Sequence, residues 1–136
     1  MNEKEEYKLN TRGIRPTAMR ILVLKYLTNL RHTTSLLDLE THFITSDRST
    51  LFRTLKTFEE KGIIHKIDDG TGVIKYGLCT ETCDCSLKEQ HFHFYCEKCT
   101  ETFCLNHVKI PFLELPKNFI LKQSNLVLKG VCSNCN

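Results

Sequence analysis

Two Cys-x-x-Cys pairs, Cys96–Cys99 and Cys132–Cys135, constrain this chain more than any other feature in it. Each pair sets two thiols on one tight turn, and two such knuckles supply the four thiolates of a closed tetrahedral zinc site. Residues 100–131 separate the pairs. That interval is longer than in a compact ribbon, so further structure must be folded between them, and FILKQSNLVL at 119–128 reads as one returning strand. Other uses of paired thiols fit less well. The start, MNEKEEYK, has no apolar signal-peptide region. A cytoplasmic location is therefore expected, and there thiols stay reduced and structural disulfides are rare. A thioredoxin-like dithiol wants a βαβ pattern around it, and the flanking sequence shows none. A zinc deaminase wants His-x-Glu and a later Pro-Cys-x-x-Cys, whereas the stretch here is HFHFYCEKC. No nucleophile–base arrangement emerges, so neither an enzyme nor a small-molecule substrate is expected. No apolar run approaches the roughly 20 residues of a membrane span.

The residues around the first pair raise a second question. In a β-strand successive side chains point to opposite faces. If HFHFYC is extended, His91, His93 and Tyr95 share one face, while Phe92, Phe94 and Cys96 share the other. The two histidines and Cys96 should not serve the same ion, so the parity predicts two sites. Cys79, Cys83, Cys85, Cys104 and His107 remain as further ligands for a mixed Cys/His site. The pattern leaves open which of them bind. A lone His-x-His on a strand is also compatible with plain surface residues.

Charge divides the chain. Residues 1–66 hold 12 Lys+Arg against 8 Asp+Glu, and residues 67–136 hold 7 against 8. All six arginines lie within the first 53 residues, and none of the eight cysteines does. Arginine suits bidentate phosphate and guanine contacts, which makes the first half the candidate for an anionic partner. There, Met19, Leu22, Val23, Tyr26, Leu27 and Leu30 recur at helical spacing behind Thr17 as N-cap. A short helix is predicted from Ser35. DRSTLFRTLKTFEEKG reads as a third helix, with Asp47 as N-cap, a stripe of Leu51, Leu55 and Phe58, and Gly62 as stop. Arg48, Phe52, Arg53 and Lys56 lie off that stripe and point outward. Next, IIHKIDDGTGVIKYGL reads as a hairpin around DDGTG. Three helices and a hairpin are the order of a winged helix-turn-helix, whose last helix enters a DNA major groove. The plain alternative is a small helical bundle capped by a hairpin.

These features together resemble the ferric uptake regulator (Fur) family of bacterial metal-sensing repressors. The resemblance is carried by Thr17-x-x-Arg20, STLFRTLKTFEEKGII at 49–64, HFHFYCEKC at 91–99 and GVCSNC at 130–135, and it spans nearly the whole chain. It implies an α+β fold: a winged helix-turn-helix over residues 1–78, a Cys-containing linker at 79–90 and a small α/β, zinc-stabilised dimerisation domain over 91–136. It further implies that Phe52 and Arg53 read DNA with Arg15 probing the minor groove. Cys96, Cys99, Cys132 and Cys135 would hold structural Zn2+, and His91 and His93 would belong to a regulatory site between the domains. His32 stands close to the family's regulatory histidine ahead of the second helix. Three departures stand out. Cys104 occupies the place of a usual glutamate, Ser124 that of a histidine common on the last strand, and CTETCDCSLKE is an insertion in the linker. Cys104 is therefore expected in the regulatory site, with Cys83 or Cys85 completing it. Added thiolate moves the regulatory metal from Fe2+ toward Zn2+. The expected function is a homodimeric, metal-dependent repressor of zinc or iron uptake that binds a palindromic operator. The alternatives are a peroxide or redox sensor on the same scaffold, and a zinc module that binds protein.

Overall fold

Helix starts and stops in the first half follow from single residues. The computed structural model describes residues 2–78, 92–105, 113–122 and 126–136. Its first helix, α1 (Glu3–Thr11), has Glu3, Glu5 and Glu6 in the first turn and Lys8 in the last, complementing the helix dipole. Sequence periodicity did not predict α1, because Leu9 is its one buried residue. α2 (Ala18–Asn29) begins where the Thr17 hydroxyl accepts the Arg20 N–H at 3.3 Å. α3 (Leu36–His42) opens on a reciprocal capping box between Ser35 and Asp38. α4 (Arg48–Glu60) starts at Asp47, whose carboxylate accepts from the Thr50 hydroxyl rather than from the backbone. It stops at Gly62, which takes φ +76°. There the Ile63 N–H reaches the Phe58 carbonyl at 2.9 Å and the Gly62 N–H the Glu59 carbonyl at 3.1 Å, a Schellman closure.

Val23, Leu24, Leu27, Leu39, Leu51, Leu55, Phe58, Ile63 and Ile64 form one core with Leu9 of α1. The face of α2 is turned from the predicted one. Leu24 is 1% exposed and Leu22 48% exposed. Ile21–Leu24 is an unbroken apolar run, so periodicity alone could not fix which of its members faces inward.

β1 (Thr34–Ser35), β2 (Ile64–Asp68) and β3 (Ile74–Leu78) form an antiparallel sheet in the order β1-β3-β2. β2 and β3 are the predicted hairpin, with Gly70 and Gly72 at positive φ in its turn. A second sheet has the order β5-β4-β6, from β4 (Phe92–Cys96), β5 (Thr102–Leu105) and β6 (Val127–Gly130). β4 pairs antiparallel with β5 and parallel with β6. The predicted returning strand at 119–128 is thus shorter and later. Residues 119–122 are not strand, and Phe119 and Ile120 are 67% and 83% exposed. The two sheets meet through Thr33, whose N–H donates to the Thr102 carbonyl at 2.8 Å.

Candidate metal centre

Among the described residues, two groups of three or more metal-ligating side chains converge. In the first, the sulfurs of Cys96, Cys99, Cys132 and Cys135 all lie within 4.8 Å of one another. Cys96 ends β4, Cys99 follows a turn, and the second pair follows β6, which runs parallel beside β4 and brings the two knuckles together. The Cys99–Cys132 sulfur separation is 3.8 Å, and a tetrahedron with Zn–S bonds of about 2.3 Å has edges of about 3.8 Å. The Cys96 sulfur accepts the N–H groups of Cys99 at 3.5 Å and Cys132 at 3.4 Å. These backbone donors draw the Cys96 thiol down to about 6. A hydrogen bond with the Cys132 side chain, and burial after it, push the Cys135 thiol up to about 12. Cys96 and Cys135 are thus driven apart, one toward ionisation and the other away from it. A dication among the four thiols removes that conflict, so the donor set fits zinc.

The second group is His65, His93 and Cys104, again with ligand atoms within 4.8 Å of one another. His93 and Cys104 are direct partners across β4 and β5. His65 comes from β2, in the other sheet. Its Nε2 lies 3.5 Å from the Cys104 sulfur. One imidazole and one thiolate on a tetrahedral zinc stand about 3.5 Å apart, so this geometry also fits a metal. Three protein ligands leave a fourth position for water or a further side chain. The strand parity expected from the sequence holds, since His93 joins one group and Cys96 the other.

Other expected ligands fare differently. His91, Cys83 and Cys85 lie outside the described residues. His32 is not in either group. Its Nδ1 is 2.9 Å from a Glu101 carboxylate oxygen and 2.7 Å from the Thr33 carbonyl. His65 is the residue that sequence reasoning missed. A signal for it existed in Gly77, a glycine inside the strand IKYGL, where such a residue marks a close approach. Gly77 is the cross-strand partner of His65. A Cβ there would lie 2.9 Å from the Cys104 sulfur and 3.2 Å from His65 Nε2. Gly77→Ala should therefore weaken metal binding at this group by about tenfold or more while the four-cysteine site keeps its zinc. Metal-to-protein ratios after equilibrium dialysis would show it, and an unaltered second ion would contradict the packing described.

Beside this group lies Asp69, 1% exposed. Burial opposes its ionisation, but hydrogen bonds from Thr71 and Thr102 and the charge of Lys75 outweigh it and hold the carboxyl at about 2. Asp69 is consequently charged at any physiological pH.

Arg48, Phe52, Arg53 and Lys56 are exposed along α4, as expected. Phe52 is 48% exposed, unusual for a phenylalanine on a polar helix face. Arg53 and Lys56 line an open cleft with Arg20 at the start of α2. The Arg20 guanidinium donates to the Arg15 carbonyl at 2.8 Å, anchoring the exposed Arg15 next to that cleft.

Residues 11–131 match the Ferric uptake regulator family. The chain belongs to that family. It is 24% identical to the Peroxide operon regulator of Bacillus subtilis (strain 168), an alignment covering 94% of this chain and 88% of that one. Among solved structures, it resembles a zinc uptake regulator complexed with zinc and DNA, at TM-score 0.66 and 19% identity, covering 98% of this chain and 91% of that one. It also resembles the Vibrio cholerae ferric uptake regulator, at TM-score 0.63 and 20% identity, covering 93% and 98%. The architecture is thus that of these Fur-family structures. Members of the family regulate metal or peroxide responses and are not enzymes. No helix among the described residues is long and apolar enough to cross a membrane.

Proposed function

We propose that the chain is a metal-dependent DNA-binding repressor of zinc or iron uptake that grips a palindromic operator as a homodimer. One observation carries this reading: His65 comes from the sheet of the winged helix, and His93 and Cys104 from the other sheet. An ion held by all three ties the winged helix to the dimer unit, and so fixes the spacing of two recognition helices across the half-sites. The ion, when bound, supplies positive charge and fixed bonds to two nitrogens and one sulfur. Each of these residues holds its atom in place from a paired strand. A thiolate in the set favours zinc over iron. In this reading the fourth position is taken by one further side chain, His91 or one of the linker cysteines Cys83 and Cys85. Cys96, Cys99, Cys132 and Cys135 carry a separate structural zinc. The apolar side chains of Leu113, Phe119, Ile120 and Leu121, all exposed in the single chain, are the surface for the second copy.

DNA recognition rests on α4. Phe52 and Arg53 read base edges, Lys56 and Arg48 meet phosphates, and Arg15 enters the minor groove. Arg53→Ala should cost about 1–3 kcal/mol of operator affinity with fold and zinc content unchanged, because Arg53 makes no core contact. Gel-shift titration on an inverted-repeat duplex selected from a random pool checks this. Unchanged affinity would remove α4 from the reading role. A peroxide sensor on the same scaffold is the second reading, supported by the likeness to the Peroxide operon regulator. It requires operator release on mild peroxide treatment at constant metal.

A further inference from the structure

Asp69 carries a full charge at a position 1% exposed, yet neither the metal groups nor the face of α4 uses it. A buried carboxylate is costly unless paired and hydrogen-bonded, so what surrounds it is informative. Its first oxygen accepts from the Thr71 N–H at 3.1 Å and the Thr71 hydroxyl at 2.6 Å. Its second accepts from the Thr102 hydroxyl at 2.7 Å and lies 3.4 Å from the Lys75 ammonium. Lys75, on β3, also donates to the Thr102 hydroxyl at 3.3 Å and the Thr100 carbonyl at 3.4 Å, and sits 5.8 Å from the centre of the Tyr95 ring. Thr102 is 0% exposed, and its carbonyl takes the Thr33 N–H. Apart from the links of Asp69 to Thr71 and to Lys75, which stay within the β2–β3 hairpin, each of these contacts joins the winged-helix unit to the segment carrying β4 and β5.

Register connects this cluster to the metal group. Thr102 and Cys104 are two apart on β5 and share a face. The face of β2 that carries His65 and Ile67 continues to Asp69. The two sheets therefore touch at two neighbouring points, Asp69 with Thr102 and His65 with Cys104. We propose that Asp69, Lys75 and Thr102 are positioning residues, a clasp that needs no metal and sets Cys104 within ligating distance of His65 before the ion arrives. The inference rests on the reading that His65, His93 and Cys104 bind a metal. The ion then meets a nearly formed site and does not have to bring two loose units together.

The test is a cobalt(II) titration of the full chain carrying only its four-cysteine zinc, read by the thiolate-to-cobalt absorption band. Thr102→Val keeps the shape and removes the hydroxyl. It should weaken cobalt binding by about 10–100-fold, the usual effect of losing an outer-shell partner, and Thr102→Ser should restore it to within about threefold. Asp69→Asn, which keeps size and loses charge, should move in the same direction and serves if Thr102→Val does not fold. Amide exchange gives a readout without the second metal: Thr33 should be protected in the parent chain and exposed to exchange in Thr102→Val. Cobalt binding equal to the parent in Thr102→Val, or an unprotected Thr33 in the parent, would overturn the clasp. A parent chain with no thiolate-to-cobalt band would overturn the site itself.

Discussion

Cys99→Ser or Cys135→Ser should release the structural zinc, unfold the C-terminal unit and abolish the dimer. Structural zinc contributes on the order of 10–16 kcal/mol in small zinc-finger peptides, which equals or exceeds the roughly 5–15 kcal/mol stability of a whole domain. The described second sheet is small, three strands of four or five residues, and among its described residues Cys96 and Thr102 are the buried side chains. Little apolar burial is available to hold it once the metal is gone. Metal analysis with sedimentation velocity decides the matter, and a serine variant that dimerises normally with no bound zinc would sink the assignment.

His65→Ala and His93→Ala, singly or together, should have the opposite profile. The four-cysteine zinc and the dimer persist, while stimulation of DNA binding by added metal disappears. Allosteric couplings of this kind are typically worth about 1–3 kcal/mol, or roughly 5–150-fold in affinity, and the whole of that factor should be lost. His65→Ala is the sharper of the two. His65 lies on the winged-helix sheet, so its removal cuts the bridge while leaving His93 and Cys104 paired across β4 and β5. Retention of the full metal response in His65→Ala would place the regulatory ion elsewhere.

The contrast between the two metal groups shows what a sequence can reveal. The four-cysteine cluster was legible because each knuckle is a local motif, with both sulfurs presented by one turn. The strand parity of HFHFYC was equally local, and it separated His93 from Cys96 correctly. The helix-turn-helix and the hairpin were legible from caps, stripe and turn glycines, down to Gly62. His65 was not, because its partner Cys104 lies 39 residues away and the hint in Gly77, on the facing strand, marks a close approach without naming a ligand. The Asp69 clasp was hidden for the same reason. Its parts are single polar residues on three different segments, and only the docking of the sheets makes them one cluster. α1 escaped notice because one leucine is no periodicity. The exposed cationic face of α4 could be placed from the stripe alone, since the residues off a buried stripe are the ones facing out.

In the proposed mechanism a second ion, bridging the two sheets, turns DNA binding on. This is tested most directly by adding zinc, iron(II) or manganese(II), each separately, to dimer loaded only at its four-cysteine site, and measuring affinity for the selected inverted-repeat duplex by fluorescence anisotropy. One further ion per chain should raise affinity by roughly 5–150-fold, with zinc acting at the lowest concentration. Affinity that does not change while a second ion demonstrably binds would contradict it.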